Sequence, residues 1–182
     1  MKSAQHVLAH ARTVSPLGPL LLAASEQGLC GLWFDEQKHL PPWLPAQWDD
    51  GPPSHPVLKA AADQLADYFS GGRDTFDLPL DLRHGTPFQC AVWQAMVAIP
   101  VRGSLSYGTL ARQIGRPAAV RAVGAAVGRN PIGIIVPCHR VMGADGSLTG
   151  YAGGLWRKTA LLRLEQGHPA PVPAGTTHDL FP

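Results

Sequence analysis

The sequence has no apolar run long enough to cross a membrane, and its longest, Leu20–Ala24 and Ile132–Val136, suit strands. Met1–His6 lacks the apolar core of a secretory signal. Cysteine is scarce: Cys30, Cys90 and Cys138 are an odd number without paired spacing. That excludes a disulfide framework and points to a reducing, cytoplasmic compartment. Acidic residues are nearly missing from one stretch. Residues 83–167 carry only Asp145 and Glu165 against nine Arg and one Lys, whereas residues 1–82 carry ten acids against five Lys/Arg. The net charge of +2 conceals this reversal, which suggests two modules with different partners. The arginine bias fits phosphate recognition, because a guanidinium forks onto phosphate oxygens. The other reading is a basic solvated surface.

What remains is an ordinary globular composition, 182 residues with 45% hydrophobic, enough for one large domain or two small ones. We expect a mixed α/β (α+β) chain in three segments: 1–82, 83–167 and a Pro-rich tail, 168–182. His6–Val14, Leu20–Ser25 and Leu29–Phe34 read as strands of a meander, with a turn at Gln27-Gly28. Six prolines make residues 39–56 a loop, which Trp43 and Trp48 should pin to the surface. Val57–Phe69 reads as a helix burying Leu58, Leu65 and Phe69 and stopped by Ser70-Gly71-Gly72; Thr75–Leu80 alternates like a strand.

In the second segment Thr86-Pro87 starts a helix that runs to about Ile99. Ser106 caps a helix from Tyr107 to Ile114, Gly115-Arg116 breaks it, and another runs from Pro117 to about Gly128. Helix, tight turn, helix in an arginine-rich region points to a helix-turn-helix. Its second helix, Pro117–Ala126, holds a lone Arg121 among methyl groups and cannot read base edges by hydrogen bonds. Small side chains would let its backbone approach a narrow groove closely; the alternative is a packing helix. Arg121 could fill the gap left by an extruded base. Ile132–Val136 reads as a buried strand, and the last helix spans about Leu155–Gln166, ending at Gly167.

Cys138 follows that strand and precedes His139 and Arg140. Nearby positive charge or an acceptor favours a thiolate, the nucleophilic form. Successive residues of an extended chain face opposite ways, so a Cys138–His139 contact needs a turn or a bridging water. Cys30 and Cys90 read as inert core residues. Glu165 lies in the last turn of its helix, where the macrodipole disfavours a carboxylate, and a specific partner, His139, would explain it.

These residues resemble the O6-alkylguanine-DNA alkyltransferases. The central likeness is Ile135-Val136-Pro137-Cys138-His139-Arg140-Val141. It is joined by Ser106-Tyr107-Gly108, Arg121-Ala122-Val123-Gly124, Asn130-Pro131, Tyr151-Ala152-Gly153-Gly154 and Glu165-Gln166-Gly167-His168. The resemblance is strong over residues 86–168 and loose over 1–82.

It implies a small antiparallel-sheet domain with a helix, ribonuclease H-like, followed by a mostly helical, winged-helix-like domain with a helix-turn-helix. It implies that Cys138 accepts an alkyl group from O6-alkylguanine, and by extension O4-alkylthymine, in double-stranded DNA. His139, a water and Glu165 would withdraw the thiol proton, and Tyr107 would donate toward the purine N3. Asn130 would brace the active-site segment, and Arg121 would replace the flipped nucleotide. Pro137, Val141, Tyr151 and Ala152 would line the base pocket, while Ala119, Ala122, Thr109, Arg112 and Arg140 would meet DNA. Some members have serine where Ala152 stands. No cofactor is implied. Some relatives hold zinc, but Ser25, Cys30 and Leu78 stand at or near its ligand positions, so no metal site is expected. The expected protein is a cytoplasmic, nucleoid-associated monomer that acts once, with cooperative binding along DNA left open. A lesion-binding protein without chemistry is the alternative, and it would lack the acceptor that Cys138 supplies. A sequence-reading regulator or a cysteine hydrolase fits less well.

Overall fold

The computed structural model describes residues 7–45, 48 and 53–170. The expected tail lies outside them from residue 171 onward, as do His6 and loop positions 46, 47 and 49–52.

Strands β1 (Val7–Thr13), β2 (Leu20–Ser25) and β3 (Gly28–Phe34) form an antiparallel sheet in chain order. Every residue of β2 and β3 is buried, because both faces of the sheet are covered. Leu20, Leu22 and Ala24 face the main core with Leu58, Ala61 and Leu65 of α1 (Pro56–Phe69). Leu21 and Ala23 face the other way, into a cluster with Cys30 and Trp33 that Trp43 and Trp48 cover. The two loop tryptophans meet Trp33 and His10 edge-on. Ala23 pairs Gly31 and Ala24 pairs Leu29, so Cys30 is the extra residue of a β-bulge.

The strand expected over Thr75–Leu80 does not form. Leu80 makes one bridge to Leu29, and Pro79 has no N–H to donate. The backbone is satisfied by side chains instead: Gln64 bonds both the N–H and the C=O of Asp77, and Arg73 reaches the Thr75 carbonyl.

The second segment is helical. Helix α2 (Pro87–Val97) opens on a full capping box between Thr86 and Gln89. A two-residue strand β4 (Leu105–Ser106) pairs in parallel with β5 (Val141–Met142). Helix α3 (Tyr107–Gln113) is capped by the Ser106 hydroxyl and precedes α4 (Val120–Gly128). Helix α4 starts three residues later than the sequence suggests, because Arg116–Ala119 closes a separate turn (Ala119 N to Arg116 O, 2.9 Å). Helix α5 (Leu155–Glu165) comes last.

Helices α1, α3 and α5 end alike. Gly71, Gly115 and Gly167 have positive φ, and the two N–H groups beyond each helix return to its last-turn carbonyls. Trp93 of α2 donates to the Ala126 carbonyl of α4 at 2.9 Å and locks the helix-turn-helix onto α2. The main core runs through both halves, from Ala11 to Leu164. Among the described residues no helix is long and apolar enough to cross a membrane.

Candidate active site

The segment read as a strand, Ile132–Val136, makes one bridge, Ile132 to Leu32, and then turns. Asn130 explains the turn. Its amide donates to the carbonyls of Ile132 (3.3 Å) and Val136 (2.7 Å), and its oxygen accepts the Ile132 N–H. One side chain thus satisfies groups that a ladder would have used, and Ile134 takes a positive φ of 65°. A single 3₁₀ turn, Cys138–Arg140, follows. The turn is present, but no hydrogen bond joins Cys138 to His139 among the described residues.

The turn buries three functional side chains. His139 is fully buried, with Nε2 2.7 Å from Glu165 Oε1. Arg140 grips the same carboxylate, Nε to Oε2 at 3.1 Å and NH2 to Oε1 at 2.8 Å, and donates to the Ile99 carbonyl at 2.6 Å. The hydroxyl of Tyr68, from α1, adds a fourth donor group at 3.0 Å. Arg102 donates to the main-chain carbonyl of Glu165, offsetting the helix C-terminus. Burial pushes the Glu165 carboxyl up, but hydrogen bonds from His139 and Arg140 outweigh it and hold it at about 2. Glu165 is therefore an anion, and Nε2 of His139 must carry the proton it accepts. Burial drives the His139 pKa down more than the carboxylate restores it, so the ring is neutral near pH 7. Nδ1 then holds a lone pair, and it has no hydrogen-bond partner among the described residues.

Cys138 is buried beside this relay. Burial pushes its thiol up; the Asn130 amide, the Lys158 charge and the amides of the turn pull it back. Lys158 is fully buried on α5, its ammonium donating to the carbonyls of Val141 (2.6 Å) and Thr149 (2.9 Å). The Tyr107 hydroxyl donates to the same Thr149 carbonyl at 3.3 Å. Tyr151 is half-buried, and both burial and the neighbouring Cys138 push its hydroxyl pKa up. Ala152 lies beside it, its carbonyl held by the Lys38 N–H, while Pro137 and Val141 are buried in the turn.

On the outer face, Val120, Arg121, Ala122 and Ala125 of α4 are exposed, as is Arg112 of α3. Ala119 and Thr109 are half-buried, and Arg112 donates to the Thr109 hydroxyl. Gly124 faces Tyr107: a Cβ there would lie 3.8 Å from its ring, so α4 passes directly over the tyrosine.

Arg140, expected to meet DNA, points inward instead, with its guanidinium spent on Glu165 and Ile99. Three site residues were missed by sequence reading. Lys158 carried a signal, as the one lysine among nine arginines of the basic segment. Tyr68 carried none, because its partner lies 97 residues away. Arg102 stands at a positive φ of 62° that composition does not reveal.

This geometry has counterparts among known proteins. The family model of the 6-O-methylguanine DNA methyltransferase DNA binding domain matches residues 87–167, and that of the ribonuclease-like domain matches 9–82. A methylated-DNA–protein-cysteine methyltransferase of Mycobacterium bovis is 52% identical over 161 residues, covering 86% of this chain and 92% of its own. One from Methanosarcina barkeri is 48% identical over 154 residues, covering 85% and 94%. Among solved structures, Mycobacterium tuberculosis OGT in complex with DNA superposes with a TM-score of 0.79 at 48% identity, covering 90% of this chain and 96% of that one. Both family models match, they span most of the described residues, and close relatives align nearly end to end. The chain therefore belongs to the 6-O-methylguanine DNA methyltransferase family.

Proposed function

We propose that this chain repairs alkylated double-stranded DNA by moving the alkyl group of O6-alkylguanine irreversibly onto Cys138. The observation that carries the reading is the buried Cys138–His139–Glu165 arrangement: an ionised carboxylate fixes a neutral histidine with its lone pair on Nδ1, beside a protonated thiol. His139 takes the thiol proton through a bridging water as the sulfur attacks. The S–C bond forms as the C–O6 bond breaks, and guanine leaves neutral because Tyr107 donates a proton to N3. The proton lost by the thiol balances the one gained by the purine. No group here can reverse a thioether, so one molecule acts once.

Arg121 fills the place of the flipped nucleotide, while Ala119, Ala122, Thr109 and Arg112 lie against the DNA backbone in the minor groove. Tyr151, Ala152, Pro137 and Val141 form the base pocket. The carbonyls of Cys138 and Val141 each keep a lone pair for the exocyclic amine after accepting from Val141 N–H and Lys158. Asn130 braces the turn that aims Cys138. O4-alkylthymine is a second substrate. The protein works as a monomer on nucleoid DNA in the cytoplasm.

Intact-mass measurement after incubation with a duplex carrying O6-methylguanine tests the reading. One added methylene per protein is expected, and tight binding with no added mass would leave a lesion-binding protein.

A further inference from the structure

We propose that Tyr68, contributed by the N-terminal half, is a positioning residue of the proton relay: its hydroxyl shares Glu165 Oε1 with His139 and so sets how strongly the carboxylate holds the histidine proton. The inference deepens the transfer reading above and rests on it.

The geometry carries it. Tyr68 Oη lies 3.0 Å from Glu165 Oε1, the atom that accepts His139 Nε2 at 2.7 Å. Both Tyr68 and Glu165 are buried, and together with Arg73, Asp74 and Arg102 they line a pocket of about 270 Å³. The Tyr68 ring is fixed independently by Phe69 and Phe76, at 5.4 and 5.3 Å between centroids. Its hydroxyl is therefore not needed to place the ring. Burial and the Glu165 charge push the Tyr68 pKa well up, so it stays a donor at every working pH.

The groups around the relay are Arg140 on the same turn, Lys158 on α5, Cys138, Tyr151, and Arg102 at the Glu165 carbonyl. Among them, Tyr68 is a neutral donor on the His139-bound oxygen, so removing its hydroxyl adds no charge and leaves the ion pair with Arg140 in place. It returns electron density to Oε1, strengthens the bond to His139 and raises that ring's affinity for a proton. Transfer needs neutral His139, so its rate falls as pH drops through the histidine pKa. In the intact protein that acid limb should lie below about 6.5, the ordinary histidine value.

The test is the pH profile of the single-turnover transfer rate. Tyr68→Phe should move the acid limb upward by roughly half a unit. Tyr68→Leu, which also lacks the donor, should move it the same way. Phe76→Leu, which loosens the ring but keeps the hydroxyl, should lower Tm and leave the limb where it was. An unmoved limb in both Tyr68 variants, or an equal shift in Phe76→Leu, overturns the proposal. No transfer by the unaltered protein would instead overturn the transfer reading itself.

Discussion

Each half of the molecule buries a cysteine, and the charges beside the two pull in opposite directions. Cys30, the bulged residue of β3, is 4% exposed among Leu21, Ala23 and Trp33. Burial and the nearby Asp81 charge push its thiol up to about 12. Cys138 is 8% exposed, and burial pushes it up too, yet its neighbours are an amide, an ammonium and the N–H groups of a tight turn. Both thiols are shielded, so burial does not distinguish them. The sign of the nearest charge does: a carboxylate beside one, a lysine beside the other.

The most damaging way to break this contrast is to remove the anion behind Cys138. Glu165→Gln leaves Arg140 buried without its counter-charge and should lower the unfolding free energy by about 3–5 kcal/mol. Transfer should be lost even at temperatures where the variant is folded. Denaturant unfolding with a parallel transfer assay checks both. Removing the cation beside the thiol is milder. Lys158→Met should slow transfer about tenfold near neutral pH, as for a thiol pKa raised by one unit, and the loss should shrink as pH rises. A deficit independent of pH would assign Lys158 to holding the Val141 and Thr149 carbonyls alone. The smallest effect concerns the outer face. Arg121→Ala should slow repair of duplex DNA while changing reaction with free O6-benzylguanine less, because only the duplex has a gap to fill. Equal losses on both substrates would remove that role.

Much of this was legible in sequence where local rules suffice. Thr86, Ser106, Gly115 and Gly167 marked helix ends because caps act over three or four residues. The misplaced charge of Glu165 pointed to His139 before any geometry was known. Where one side chain takes over another segment's hydrogen bonds, periodicity misled. Asn130 turned the apolar run Ile132–Val136, and Gln64 took both backbone groups of Asp77, leaving Leu80 the one residue of the expected strand that bridges to the sheet. Arg140, given to DNA by the resemblance, turns inward because the Glu165 carboxylate and the Ile99 carbonyl hold its guanidinium. Tyr68 was invisible because it comes from the half that seemed to lack chemistry. The N-terminal half supplies more than a sheet: one hydroxyl of its helix reaches the relay.

Cys138 alone among the three thiols should accept the alkyl group. The most direct test is to treat the protein with less than one equivalent of O6-methylguanine duplex, digest it and locate the methyl by peptide mass. Methyl is expected on the Cys138 peptide and none on those of Cys30 or Cys90. Methyl on Cys30 or Cys90, or a Cys138→Ser variant that still acquires it, would show that Cys138 is not the acceptor.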